Sequence, residues 1–212
     1  MRLMLAALLL AALPAFTLAV PAAAPTPPAP TAPTAPTVPM ERVALETSAG
    51  RIVLELDPGK APLTVANFLS YVESGHYNGT IFHRVVPNLL VQGGAYTPDL
   101  QPKPERAPVS LEASNGLSNL RGTIAAARRP DTRDSATAQF FINVVDNPQF
   151  DPVDPANDIG AGYAVFGRVV EGMDVVDAMR KAETGAQGPF PSRVPNQAIV
   201  IERALRLPGT AQ

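Results

Sequence analysis

Arg84 and Gln92 are the residues whose types and spacing could do chemistry. They lie in Phe-His-Arg-Val-Val-Pro-Asn-Leu-Leu-Val-Gln-Gly-Gly, Phe82 to Gly94. Two short aliphatic runs meet at Pro87-Asn88, a dipeptide suited to a tight turn. With the turn centred on Asn88, Arg84 falls opposite Gln92 across a hairpin, with Cβ atoms about 4.5–5.5 Å apart. Alternation along the strands then places Phe82, Arg84, Leu90 and Gln92 on one face. A fixed planar cation beside a neutral amide suits recognition of peptide carbonyls and amide nitrogens. Gly93-Gly94 is expected to let a foreign backbone come close. The bland reading is an ordinary hairpin with Arg and Gln in solvent. His83 lies on the opposite face and is expected to be a packed, hydrogen-bonded histidine.

The composition excludes several other chemistries. The chain of 212 residues has no cysteine, two histidines (His76 and His83) and a net charge of −2. Disulfides, thiolate catalysis and Cys-ligated metals are ruled out. No HExxH or comparable spacing occurs, so no metal site and no cofactor are expected. No basic block exists to hold nucleic acid. A hydrolase has little support, with no Gly-x-Ser-x-Gly elbow in the chain.

The elements that must position the hairpin lie between Glu41 and Gln212. Arg42–Thr47 and Arg51–Leu56 alternate apolar and polar residues around Ser48-Ala49-Gly50, the pattern of a β-hairpin. Val65, Phe68, Leu69 and Val72 recur at helical spacing after Pro62, and Gly75 closes that helix. Small residues from Thr123 to Ala127 suit a strand. In Ala138 to Val144, Gln139, Phe141 and Asn143 face one way while Phe140, Ile142 and Val144 face the other. Tyr163 to Val170 reads as a strand, Gly172-Met173 starts a short helix, and Ala198 to Leu207 is a closing strand. Asp146 to Gly162 is a solvated acidic loop whose spacing does not match an EF-hand. Many strands and two helices predict a mainly β fold, a closed barrel with helices at its ends.

Residues 1–22 read as a secretory signal peptide: Met1-Arg2, an apolar run from Leu3 to Val20, then small residues. An uncleaved anchor is the alternative, and transient membrane association through residues 3–20 is expected. Residues 23–40, rich in Pro, Ala and Thr and without charge, form an extended linker, and 41–212 is the folded domain. The product is expected to be periplasmic or secreted, or membrane-anchored facing the periplasm.

Four stretches, Phe82 to Gly94, Asn115 to Arg128, Ala138 to Asn143 and Tyr163 to Met173, resemble in order the signature segments of cyclophilins, the peptidyl-prolyl cis-trans isomerases. The likeness runs from about Val43 to Leu207 and is nearest to the bacterial exported branch. It implies an eight-stranded antiparallel barrel capped by two helices, with a substrate groove on its outer surface. It places Arg84 at the catalytic arginine and Gln92 at the groove glutamine. Phe141 stands at the floor of the proline pocket, with Leu90 and Phe150 beside it and Gln139 at a further groove position. Ala127 and Arg128 fall where backbone groups pair with a bound peptide. Tyr163 stands where many members have His. Leu89 and Leu90 replace a usual Phe and Met. Gln149 occupies the place where members that bind cyclosporin tightly have Trp.

The implied activity is rotation about Xaa-Pro bonds in unfolded or exported polypeptides, assisting their folding. A monomer is expected. The competing reading is a chaperone or scaffold module that grips proline segments with little turnover.

Overall fold

A computed structural model describes residues 38–208. The signal-peptide reading of residues 1–22, and the linker up to residue 37, lie outside the described residues. The fold begins with β1 (Glu41–Thr47) and β2 (Gly50–Leu56), paired in register from Glu41 opposite Leu56 to Thr47 opposite Gly50. The turn is as tight as the sequence predicts. Helix α1 (Pro62–Glu73) follows, with Pro at its start and Val65, Phe68, Leu69 and Val72 buried, as the spacing predicts. Its first turn lacks an acidic residue of its own. Glu112 supplies the charge from a distant loop, accepting hydrogen bonds from the Leu63 and Thr64 N–H groups and the Thr64 hydroxyl. A carboxylate there satisfies orphan N–H donors at the positive end of the helix.

Seven further strands complete one antiparallel sheet: β3 (Thr80–Ile81), β4 (Arg84–Val86), β5 (Leu90–Gly93), β6 (Thr123–Ala126), β7 (Phe140–Asn143), β8 (Val165–Glu171) and β11 (Val200–Leu207). The order is β3-β11-β1-β2-β8-β6-β7-β5-β4. A short helix, α2 (Met173–Met179), follows β8, and a separate hairpin pairs β9 (Thr184–Gln187) with β10 (Phe190–Pro195). The mainly β class with two helices is as expected. Closure differs from expectation: the sheet has nine strands, and its edge strands β3 and β4 are joined through Phe82-His83 without a ladder between them. The barrel is therefore a curled sheet with a seam. At that seam the chain turns from pairing with β11 to pairing with β5.

The curl creates two apolar layers. Inside, Leu45, Ile52, Leu54, Phe82, Phe140, Ile142 and Phe166 form the main core. Phe68 from α1 enters it, with its ring 5.1 Å from Tyr77, 5.2 Å from Phe166 and 5.5 Å edge-on to Phe140. Outside, Leu90, Ala125, Phe141 and Val165 form a second, smaller cluster. A one-residue register slip would exchange the two sets, so burial on both faces fixes the pairing firmly.

Candidate active site

Strand register assembles the site. Arg84 pairs with Gln92, Gln92 with Phe141, Phe141 with Ala125, and Ala125 with Val165. Residues directly opposite one another share a face, so these form one row across β4, β5, β7, β6 and β8 on the outer surface. The neighbouring row, Val85, Val91, Ile142 and Ile124, points into the core. At about 4.8 Å per strand, Arg84 and Phe141 stand roughly 10 Å apart along the row.

The polar end of the row is a hydrogen-bonded relay. Arg84 donates from Nη1 to Gln92 Oε1 at 3.0 Å, and Gln92 donates from Nε2 to Gln139 Oε1 at 3.1 Å. The relay fixes the guanidinium plane while leaving its other donors available. Arg84 is half-buried. Burial pulls its pKa down from the ordinary value, and the charge of Arg193 adds to the shift. The group stays protonated, but it is a cation partly stripped of water.

The apolar end is a ring cluster. Phe141, buried, meets Phe150 and Tyr163 edge-on with centroids 5.5 Å away in both cases, and Phe150 meets Tyr163 at 5.3 Å. Edge-to-face packing is the favourable arrangement for aromatic quadrupoles. Leu89, Ala127, Val86 and Leu117 pack around it, all partly exposed. The result is an aromatic cluster ringed by partly exposed apolar side chains, in the same row as a half-buried guanidinium.

The structure brings together Arg84, Gln92 and Gln139 at one end of the row, and Phe141, Leu89, Leu90, Ala127, Phe150 and Tyr163 at the other. Phe82 and the Gly93-Gly94 pair differ from the expectation, while Arg128 and His83 add detail to it. Phe82 lies outside the strands and packs edge-on to Phe140 in the interior, because the seam turns it away from the Arg84 face. Gly93 and Gly94 are closed in by the protein's own chain. A Cβ on Gly93 would meet the Ile81 carbonyl at 2.9 Å, and one on Gly94 (φ 98°) the Ala138 carbonyl at 2.9 Å. Arg128 turns its side chain away from the groove, donating to the carbonyls of Gly162, Arg129, Pro130 and Asp158 with its guanidinium 5.1 Å over the Tyr163 ring. It thereby braces the loop that carries Tyr163. His83 is packed, 4.7 Å from Tyr96 and 5.6 Å from Phe190, but its Nδ1 has no partner among the described residues. Burial, helped by the charge of Arg84, pushes its pKa down to about 4.

Gln149 is exposed on a single 3-10 turn, Pro148–Phe150, and donates to Asn147 Oδ1 at 3.0 Å. Beneath that turn runs a polar network that sequence reading missed. Asn147 donates to Asn143 Oδ1 (2.7 Å) and the Leu89 carbonyl (2.9 Å), and Asn143 donates to Asn119 Oδ1 (3.1 Å) and the Thr123 hydroxyl (2.9 Å). Asn119 in turn holds Asp151. The network ties together the hairpin turn, the end of β7 and the segment bearing Phe150. Leu117 was also missed, and the Asn115-Gly116 turn before it was the available signal. The β9–β10 hairpin, whose Phe190 covers His83, was missed as well, and its available signal was the Gly188-Pro189 turn dipeptide.

The family model for cyclophilin type peptidyl-prolyl cis-trans isomerase matches residues 42–205, and the chain belongs to that family. It is 55% identical over 165 residues to peptidyl-prolyl cis-trans isomerase cyp18 of Streptomyces antibioticus, covering 78% of this chain and 98% of the relative. To peptidyl-prolyl cis-trans isomerase B of Escherichia coli (strain K12) it is 47% identical over 160 residues, 76% of this chain and 96% of the relative. Among solved structures, a cyclophilin type isomerase of Cryptosporidium parvum superposes with TM-score 0.66 at 23% identity, covering 80% of this chain and 98% of that one. The protein is a peptidyl-prolyl cis-trans isomerase of the cyclophilin type.

Proposed function

We propose that the Arg84–Phe141 row is where the prolyl bond is held and twisted, with exported polypeptides as substrates. A prolyl amide resists rotation by ~18–20 kcal/mol, because its nitrogen lone pair is delocalised into the carbonyl. Uncatalysed exchange therefore takes tens to hundreds of seconds. In the twisted transition state the nitrogen pyramidalises and its lone pair becomes an acceptor. A guanidinium aimed at that nitrogen stabilises the twisted state more than either planar one, which is the condition for catalysis. The observation that carries the reading is the placement of Arg84, held by Gln92 and half-buried, in one row with the Phe141–Phe150–Tyr163 ring cluster. The rings receive the pyrrolidine, Gln92 steadies the carbonyl side, and Arg84 meets the nitrogen as it pyramidalises. Protein acid, base and nucleophile have no part in this rotation, since no bond is made or broken. A solved Cryptosporidium parvum relative was crystallised in the presence of the dipeptide Ala-Pro.

Export of the chain rests on its N-terminal sequence: one positive charge, the apolar run and small residues of a signal peptide at 1–22, with 23–40 as spacer. On this reading the domain works in the periplasm or outside the cell as a monomer, and transient membrane association through residues 3–20 precedes cleavage. A binder with little turnover is favoured only by the aliphatic pair Leu89-Leu90. Refolding of a client limited by a proline isomer separates the two readings. A catalyst shortens the slow phase at substoichiometric amounts, whereas a binder lengthens it in proportion to its concentration.

A further inference from the structure

The seam of the sheet carries a second cation that the isomerisation itself does not use. Hairpin β9–β10 lies against β4, the strand of Arg84. Phe190 anchors it there, with its ring 5.0 Å from Tyr96 and 5.6 Å from His83. Register is broken between Phe190 and Val194, so Pro191, Ser192 and Arg193 bulge outward while Val194 is buried. Arg193 is exposed and sits at φ 69°, a left-handed conformation that disfavours residues with a Cβ. Among the described residues neither Arg84 nor Arg193 has a carboxylate partner within ion-pair distance. The charge of Arg193 also opposes that of Arg84, lowering its pKa after the larger effect of burial. Because hairpin β9–β10 packs on β4, the bulge carries the Arg193 charge to the flank of the strand that bears Arg84, and an arriving anion there would offset the repulsion between the two guanidinium groups.

We propose that Arg193 is a specificity-determining residue that makes the enzyme favour prolyl bonds flanked by an acidic side chain, whose carboxylate settles between Arg193 and Arg84. The inference rests on the reading of the Arg84 row as the prolyl site. It locates the acidic residue at the β4 end of the row, beyond Arg84 from the ring pocket. An exposed ion pair gives a modest gain, so selectivity of about threefold to fivefold in kcat/KM is expected. It should fade as ionic strength rises through about 0.15 M.

The test measures isomerisation by NMR exchange with the full chain on end-blocked peptides, Ala-Glu-Pro-Ala against Ala-Gln-Pro-Ala and Ala-Ala-Pro-Glu against Ala-Ala-Pro-Gln. The Glu peptide should be preferred in at least one pair at low salt. Arg193→Gly, which suits the left-handed backbone, should bring that ratio close to one, and Arg193→Lys should keep most of it. Ratios near one in the unmodified protein, or a ratio that survives in Arg193→Gly, overturn the inference while leaving the prolyl site intact. Absence of turnover on every peptide overturns the site reading as well.

Discussion

Arg84 combines two requirements that pull against each other. To stabilise a developing lone pair it must be poorly hydrated, yet a half-buried guanidinium needs its donors occupied. The single bond to Gln92 answers part of this need and leaves donors for the substrate. Its neighbour in sequence, His83, bears a different burden. Its folded pKa of about 4 lies below the ordinary 6.5, so the unfolded chain takes up a proton first as pH falls. The stability that neutral His83 carries is therefore complete above about pH 6.5 and lost progressively down to pH 4. At 1.36 kcal/mol per pH unit this amounts to about 3 kcal/mol. Burial depresses His76 in the same direction. Urea unfolding at pH 7 and pH 4.5 should show a smaller loss for His83→Gln than for the unmodified protein; equal losses would remove His83 from the acid response.

At the scale of elements, the site depends on the Asn119–Asn143–Asn147 network under the 3-10 turn. Asn147→Ala removes donors to Asn143 and Leu89; the Leu89 carbonyl keeps the Val144 N–H, but the buried Asn143 Oδ1 is left unpaired, which costs about 1–3 kcal/mol. The expected result is a lower urea midpoint and weaker substrate binding, since Leu89 and Phe150 lose their common anchor; unchanged stability would show that water replaces the amide without loss. Gln149, on the same turn, is exposed and held by Asn147. Gln149→Trp should lay an aromatic wall beside Phe150 and strengthen cyclosporin inhibition by about 1–2 kcal/mol, the worth of part of an aromatic side chain buried. Titration of both proteins in one peptide assay checks this, and tight inhibition of the unmodified protein would contradict it. The hairpin register was legible in the sequence because Pro87-Asn88 sets the turn and strand alternation does the rest. Phe82 was misplaced because alternation was extended past the strand, across a seam that no local pattern marks. Arg128 was placed in the groove for its backbone, and its side-chain bonds to Gly162 and Asp158 bridge residues distant in sequence. The asparagine network and the β9–β10 cover escaped for the same reason: their partners meet only in the folded chain.

At the scale of the whole molecule, one curled sheet presents a dry inner face for stability and an outer row for function. The two are separable because alternate residues on the same strands serve each. Substitutions at the partly exposed polar end of the outer row, Arg84 and Gln92, should therefore change activity with little effect on folding, while those in the inner row, and at the buried Phe141 of the outer row, should also lower stability. Among the described residues no helix is long and apolar enough to cross a membrane. The export proposal concerns the N-terminal segment alone: protein from its natural host should begin between about Ala19 and Ala24 by the small-residue rule, as read by intact mass. A soluble cytoplasmic chain starting at Met1 would exclude it. The central claim, that Arg84 at the end of an aromatic pocket twists the prolyl bond, is tested most directly by kcat/KM on a short Xaa-Pro peptide. Residues 41–212 should accelerate exchange, and Arg84→Ala should lower kcat/KM by roughly 10²–10³-fold, the loss of one preorganised donor, with an unchanged unfolding curve. Near-normal turnover by a folded Arg84→Ala protein would contradict the account.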